Sequence, residues 1–412
     1  MQQQELIPHL FRTEFRKITA VLVKAFGIEH IEMAEDIASE TFLLALETWT
    51  YKGIPENPTA WLYTVAKNKA RNYLNRNQLF SKKITPQLQL SLSLITNIEI
   101  DLSEKNISDS QLQMLFAICH PVISTEAQIG LSLRLLCGFG IDEIATAFLT
   151  NKETINKRLF RARERLRIEK VVIAFPSETE ANKRLETVLT TLYLLFSEGY
   201  YSESNNIVLR KDFCLEAMRL ANLLIENEAT NTPEVNALLS LMCFHASRFE
   251  ARQNANEEMI LYDDQDENLW DQQLIANGAY FLKQASQGNT ISKYHLEAGI
   301  AYWHTIKADS KEKWENILQL FNKLLQIEYS PIAALNRTYA LSKANGKAAG
   351  IVEAEKLNLT GNHFYFTLLG ELYKDIHNNK AKENFEKALS LAKTQIDRNT
   401  IQKKIESCTV IL

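Results

Sequence analysis

Residues 139–167 read FGIDEIATAFLTNKETINKRLFRARERLR, and the fold class turns on how this stretch is read. Ile144, Ala145 and Phe148 give a first helical pattern its inward face, and Ile155, Leu159 and Leu166 do the same for a second. A short helix is expected over Asp142–Phe148, a tight turn over Leu149–Lys152, and a longer basic helix over Glu153–Arg167. Ala145 is small enough to let the two helices cross closely. This is the helix-turn-helix pattern, whose second helix enters the major groove of a duplex. A plain helical hairpin shares the apolar spacing, but it has no use for a basic outer face.

Working outward, the remainder is also helical. Gly (13) and Pro (8) are scarce in 412 residues, and sheets depend on turns that use them. Apolar spacing at i, i+3, i+4 and i+7 recurs, as from Leu185 to Leu195. The expected fold class is all-α. A hydrophobic content of 46% fills real cores, and the length suits two to four compact units. No apolar run reaches the ~18 residues of a membrane span, and Met1–Glu5 lacks the apolar core of a signal peptide. Cys119, Cys137, Cys214, Cys243 and Cys408 form no CxxC pair, which fits a reducing cytoplasm. Cys119–His120 has no second ligand pair at zinc spacing, so no metal and no cofactor are expected. No phosphate-binding loop, HExxH or nucleophile elbow is present, and an enzyme is not expected.

The net charge of −4 hides a segregation of sign. Residues 1–170 hold 21 Lys+Arg against 19 Asp+Glu; residues 171–412 hold 25 against 31, a balance of −6. From Phe26 to Glu56 there are seven acids and one base, and from Pro58 to Lys83 six bases and no acid. Lys152–Lys170 carries eight bases and three acids. Two basic helices behind one acidic helix suggest two phosphate-facing surfaces and one surface for a basic protein partner.

The order along the chain follows from these patterns. Residues 9–77 read as one helical unit with helices near His9–Phe26, Ile31–Trp49 and Thr59–Asn75, the last preceded by Pro58. Residues 78–108, rich in Ser, Gln, Asn and Thr, read as a linker. Fully extended it spans roughly 100 Å, more than ~17 base pairs at ~3.4 Å require. Residues 109–170 form the unit with the helix-turn-helix, 171–290 a helical extension, and 291–412 helical repeats. In the last of these, Ile332, Leu335, Asn336, Tyr339, Ile351 and Ala354 recur 34 residues later as Phe366, Leu369, Gly370, Tyr373, Phe385 and Ala388. That period, with Leu-Gly-x-x-Tyr and a later Phe-x-x-Ala, is the tetratricopeptide signature. Such arrays offer a concave face to a partner.

AEDIASETFLLALETW (34–49) followed by PTAWLYTVAKNKARNYLNR (58–76) closely resembles region 2 of the extracytoplasmic-function sigma factors. The stretch quoted first resembles their region 4, and together the two cover residues 9–170. LYLLFSEGY (192–200) and LYDDQDENLWD (261–271) look like the C-terminal extension of one subgroup. One departure stands out: Ser39 occupies a position where the family usually has Gln. The resemblance implies a dissociable subunit of bacterial RNA polymerase, acting in the cytoplasm and away from membranes. Its expected partners are the core enzyme, at the clamp helices of the β′ subunit and at the β flap, and promoter DNA.

Roles then fall on residues. Glu35, Asp36, Glu40 and Thr41 are expected to bind core polymerase. Trp61, Tyr63, Lys67, Asn68, Arg71, Tyr73 and Arg76 are expected at the −10 element, where cations neutralise phosphates and aromatic or amide groups hold unstacked bases. The loop Tyr51–Asn57 is expected to take a flipped base. For Trp61, a place in the core is the commoner fate of an aromatic at a helix start. Lys152, Thr154, Asn156, Lys157, Arg158, Arg161 and Arg165 are expected at the −35 element, with Asn156 and Lys157 reading base edges; Arg163 and Arg167 should meet backbone or solvent. Asp263, Asp264 and Asp266, beside Trp270, read as a solvated turn more readily than as a cation site. The acidic extension is expected to regulate the factor in cis, in place of or alongside a separate anti-sigma protein, and its repeats are expected to take a protein or small-molecule regulator. The competing readings are an ordinary helix-turn-helix regulator with a repeat-based sensor, and a repeat scaffold with incidental basic helices. Neither needs a surface for single-stranded DNA.

Overall fold

A computed structural model describes residues 3–84, 100–148, 150–200, 210–252, 260, 262–392 and 394–409. The protein is all-α, with no strand among the described residues. It divides into two compact units, residues 1–195 and 196–412.

The first unit is built on α1 (Gln3–Phe26), which packs against α2 (Ile31–Lys52), α3 (Pro58–Ile84) and α4 (Glu104–Ile118). Phe15, Ile18, Leu22 and Val23 of α1 are buried among them. α2 ends where Gly53 adopts φ +81°, a conformation that costs an L-residue with a Cβ, and its N–H closes on Trp49 O at 3.1 Å. Asn57 then caps α3, its Oδ1 accepting from Ala60 N at 3.0 Å. Pro58 takes the first helical position, where its missing N–H costs nothing.

The linker boundaries shift. α3 continues to Ile84 and α4 begins at Glu104, so 78–84 and 104–108 are helical. Ser103 supplies the reason at the second end, its hydroxyl accepting from Asn106 N at 3.4 Å. Residues 85–99 lie outside the described residues.

After α4 come α5 (Thr125–Leu131) and a π-helical turn, Ser132–Leu136. The helix-turn-helix pattern folds as α6 (Ile141–Ala147) and α7 (Lys152–Ile168). Asn151 caps α7, accepting from Thr154 N at 2.8 Å; Leu149, in the turn, lies outside the described residues. Ile144 and Ala145, and Ile155, Leu159, Ala162 and Leu166, are buried as their spacing requires. The last helix to enter the unit is α8 (Glu178–Tyr200), which belongs to it as far as Leu195 and whose Val188 and Leu192 are fully buried. Within α8, Thr191 donates to Gln128 Oε1 at 3.2 Å.

The second unit is a succession of helices, each packed on its neighbour in sequence: α9 (Lys211–Glu226), α10 (Pro233–Ala246), α11 (Gln272–Ala285), α12 (Lys293–Trp303), α13 (Lys311–Ile327), α14 (Pro331–Asn345), α15 (Lys347–Leu357), α16 (His363–Tyr373), α17 (Asn378–Leu391) and α18 (Gln395–Thr409). The 34-residue period corresponds to the pairs α14–α15 and α16–α17. Their matched positions Leu335, Ala354, Leu369, Phe385 and Ala388 are all buried. Gly370 explains the small residue at its repeat position: a Cβ there would sit 2.5 Å from the Phe385 ring.

Candidate nucleic-acid interface

Two basic helices, α3 and α7, carry the residues expected to meet DNA. On α3, Asn68, Arg71 and Tyr73 are exposed and Lys67 is half-buried. Lys67 and Asn68 lie one turn before Arg71, so the three share a face. Among the described residues no ion pair engages Lys67 or Arg71. Arg76 lies within α3, but its side chain is outside the described residues. Beneath this face, Tyr63, Thr64 and Lys67 line a small cleft of about 370 Å³ with Ile100, Asp101 and Ser103. The Asp101 carboxylate is held below its ordinary range, first by the Ser103 backbone N–H and then by the Ser103 hydroxyl.

Two aromatics of the expected −10 set serve the fold instead. Trp61 is half-buried, with its ring edge-on to the buried Trp49 at 5.3 Å. Tyr63 donates to Glu14 Oε2 at 2.5 Å, and burial pushes its phenol well above the usual range. Both rings fasten α3 to α1 and α2, and so fix the direction of the face that carries Arg71.

On α7, Asn156 and Lys157 are exposed on the second turn and Arg161 on the third, and Lys152 makes a surface pair with Asp142 at 3.0 Å. Thr154 is half-buried, with its N–H committed to the Asn151 cap. Arg158 lies over the Phe148 ring at 5.5 Å, and Arg165 pairs with Glu169 at 3.5 Å. Each of these basic groups except Arg158 is exposed.

The acidic helix α2 departs from expectation at two positions. Asp36 and Glu40 are exposed, Glu40 pairing with Lys69 at 2.8 Å. Glu35 is not on the surface. It is 7% exposed, and accepts from Arg134 Nε and from an Arg163 terminal nitrogen, each at 2.6 Å. Thr41 is also buried, its hydroxyl turned back to Ile37 O at 2.7 Å. Both side chains are turned to partners within the chain. Arg163, expected in solvent, is the far half of the Glu35 pair, and Arg134 had no role assigned from sequence. Arg134 also donates to Phe139 O at 3.2 Å and sits 5.7 Å from the Phe15 ring centre. These contacts join the helix-turn-helix region to α1 and α2 inside one unit, assisted by Lys24 donating to Asn106 Oδ1 at 2.9 Å.

Beside the acidic face, Phe11, Phe42, Leu43, Leu46, Trp49 and Ile54 line a mainly apolar groove of about 900 Å³, with Ser39 on its wall. Tyr51, on the last turn of α2, is 89% exposed.

Residues 10–80 match the family model for sigma-70 region 2. A region 2 domain at these residues supports a sigma-70 family sigma factor. α2 lies wholly inside the matched region, and α3 lies inside it except for its last four residues. Residues 184–286 match a second model, a family of unknown function, DUF6596. The chain is 30% identical over 386 residues to "Uncharacterized protein R00370" of Rhizobium meliloti (strain 1021), covering 92% of this chain and 90% of that one. The two belong to one family over nearly their whole lengths. No solved structure matches. No described helix is long and apolar enough to cross a membrane. Asp266 caps a 3-10 turn through Asn268 N at 3.0 Å, and no group of potential metal ligands occurs among the described residues.

Proposed function

We propose that this sigma factor is of the extracytoplasmic-function type, with region 2 over residues 9–77, region 4 over residues 109–170 and a regulatory tetratricopeptide-like extension. Asp36 and Glu40, with the apolar groove along α2, form the surface for the clamp helices of the polymerase β′ subunit. Lys67, Asn68, Arg71, Tyr73 and Arg76 hold the melted −10 element, and the loop Gly53–Asn57, with Tyr51 at its edge, takes a flipped base. Asn156 and Lys157 read the −35 element, while Lys152, Arg158, Arg161 and Arg165 meet phosphates. The β flap is the second contact on core polymerase.

One observation carries this reading: α3 presents Lys67, Asn68 and Arg71 on a face with no acid from Pro58 to Lys83, directly after a helix with exposed acids. A duplex-binding regulator needs no such pairing of surfaces. The test is co-purification with core polymerase, then run-off transcription on promoters mapped after overproduction of the protein. Arg71→Ala should lower open-complex formation while leaving duplex −35 binding intact, and Lys157→Ala should do the reverse. Tight promoter binding without core, and no effect on run-off transcripts, would favour the helix-turn-helix regulator instead.

The extension is proposed to act in cis because residues 171–412 carry a balance of −6, opposite in sign to the two basic helices α3 and α7. Transcription by the chain ended after residue 195, the last of the first unit, compared with the full chain, tests this. Equal output from both would remove the idea.

A further inference from the structure

We infer that the second unit encloses a binding site for a small oxyanion, a carboxylate or phosphate group, held between Arg248 and Lys313. Arg248 follows α10 and is 7% exposed; Lys313, in the first turn of α13, is 1% exposed. They converge on one aromatic ring: Arg248 Cζ lies 5.5 Å from the centre of Tyr262 and Lys313 Nζ 5.2 Å. Lys313 also donates to Tyr262 Oη at 3.1 Å and to Ile306 O at 2.5 Å. Arg248 reaches Tyr200 Oη at 3.4 Å.

No carboxylate among the described residues comes within ion-pair distance of Arg248 or Lys313. The nearby acids Asp263, Glu267 and Asp309 are exposed, and Asp309 is committed to Lys343 at 2.5 Å. A guanidinium cannot shed its proton, and an uncompensated buried charge is strongly destabilising. The neighbourhood holds further open polar atoms. Arg248 Nε, Trp270 Nε1, His304 Nδ1 and Gln265 Oε1 are all buried without a hydrogen-bond partner. His304 stacks edge-on to Tyr262 at 5.2 Å, and burial, with Arg248 and Lys313 adding, lowers its pKa to about 3. It is therefore a neutral ring in which one nitrogen can donate. Two fixed cations and at least two free N–H donors, walled by Tyr262 and Trp270, are the donor set an oxyanion requires. Arg248, Tyr262 and Trp270 lie in the stretch matching the family of unknown function, while Lys313 and His304 follow it, so the site would couple that stretch to the repeats.

The test uses the full chain and thermal unfolding with sodium phosphate, sodium succinate or sodium chloride at equal ionic strength. Phosphate or succinate should raise the melting temperature saturably by a few degrees beyond chloride, and whichever does so names the group. Arg248→Met and Lys313→Met should abolish that rise, and without anion should melt no lower than wild type, because each removes an unpaired buried charge. Lys311→Met, on the exposed side of the same turn, should keep the rise. The inference is overturned if neither anion exceeds chloride, or if Lys311→Met loses the response as completely as Lys313→Met. Calorimetric titration of the wild type with both anions decides the point even if a variant does not fold; no heat of binding with either sinks it.

Discussion

The Glu35 contact offers the sharpest check on how the first unit is held. Glu35→Gln keeps the shape of the side chain and deletes its charge. An amide can still accept from one guanidinium, but its own N–H₂ then faces the other. Side-chain exposure is 10% for Glu35, 21% for Arg134 and 18% for Arg163, so little water is at hand to replace what is lost. Breaking a buried pair by removing one partner costs about 3–5 kcal/mol. In a unit of this size each kcal/mol moves the midpoint by about 2–4 °C, so the low end of that range predicts a fall of roughly 6–12 °C in the first unit's transition. A control is built in. Lys152–Asp142 is exposed at 54% and 76%, and Asp142→Asn should cost no more than about 1 kcal/mol. Scanning calorimetry of the three chains reads the difference. If the lobes separate before they unfold, spin labels at Asn72→Cys and Asn156→Cys, in a Cys408→Ser background, should move apart in Glu35→Gln. A variant that is as stable as Asp142→Asn, with unchanged label distances, would refute the claim that this pair holds the helix-turn-helix region to α1 and α2.

Three further outcomes can be measured on the same protein. His304, depressed to about 3 by burial, is neutral when folded and protonates near 6.5 when unfolded. Its contribution is complete above pH 6.5 and is lost as pH falls toward 3, by about 1.4 kcal/mol per pH unit; His304→Phe should flatten unfolding free energies between pH 6.5 and 5, and identical slopes would contradict this. Cys119, Cys137, Cys214 and Cys243 are buried while Cys408 is not, and burial pushes the Cys119 and Cys243 thiols up to about 12. Mass spectrometry after brief alkylation of the native chain should therefore find one label, at Cys408, and five after denaturation. Gly370→Ala would place a Cβ 2.5 Å from Phe385, and should cost about 1–2 kcal/mol despite the better helix propensity of Ala; a more stable variant would show that the ring can move.

How much of this could be read from the chain depends on the range of the interactions. Helices α6 and α7 were legible because their determinants are local: the apolar stripes and the small Ala145 act within a few residues. Leu335 and Leu369, and Ala354 and Ala388, each 34 residues apart, are buried for an equally local reason, the apolar stripe of each helix. The exposed face of α3 follows from charge segregation alone. Glu35 was assigned to the surface because carboxylates usually lie there. Yet it belongs to the inward stripe Ile31, Ala34, Ala38, Phe42, all buried, and Arg134 interrupts the leucines from Leu133 to Leu136. A charge inside an apolar stripe is a signal that a partner exists. The sequence does not say which, because Arg134 and Arg163 lie 99 and 128 residues from Glu35, and only the tertiary fold brings such groups together. The same reasoning applies to Lys313, buried in the first turn of α13 with no carboxylate among the described residues at ion-pair distance. Its nearest answers are a tyrosine hydroxyl and a backbone carbonyl. Where Glu35 meets its counter-charges inside the fold, Lys313 does not, and that asymmetry is why the first contact reads as structural and the second as a place for something to bind.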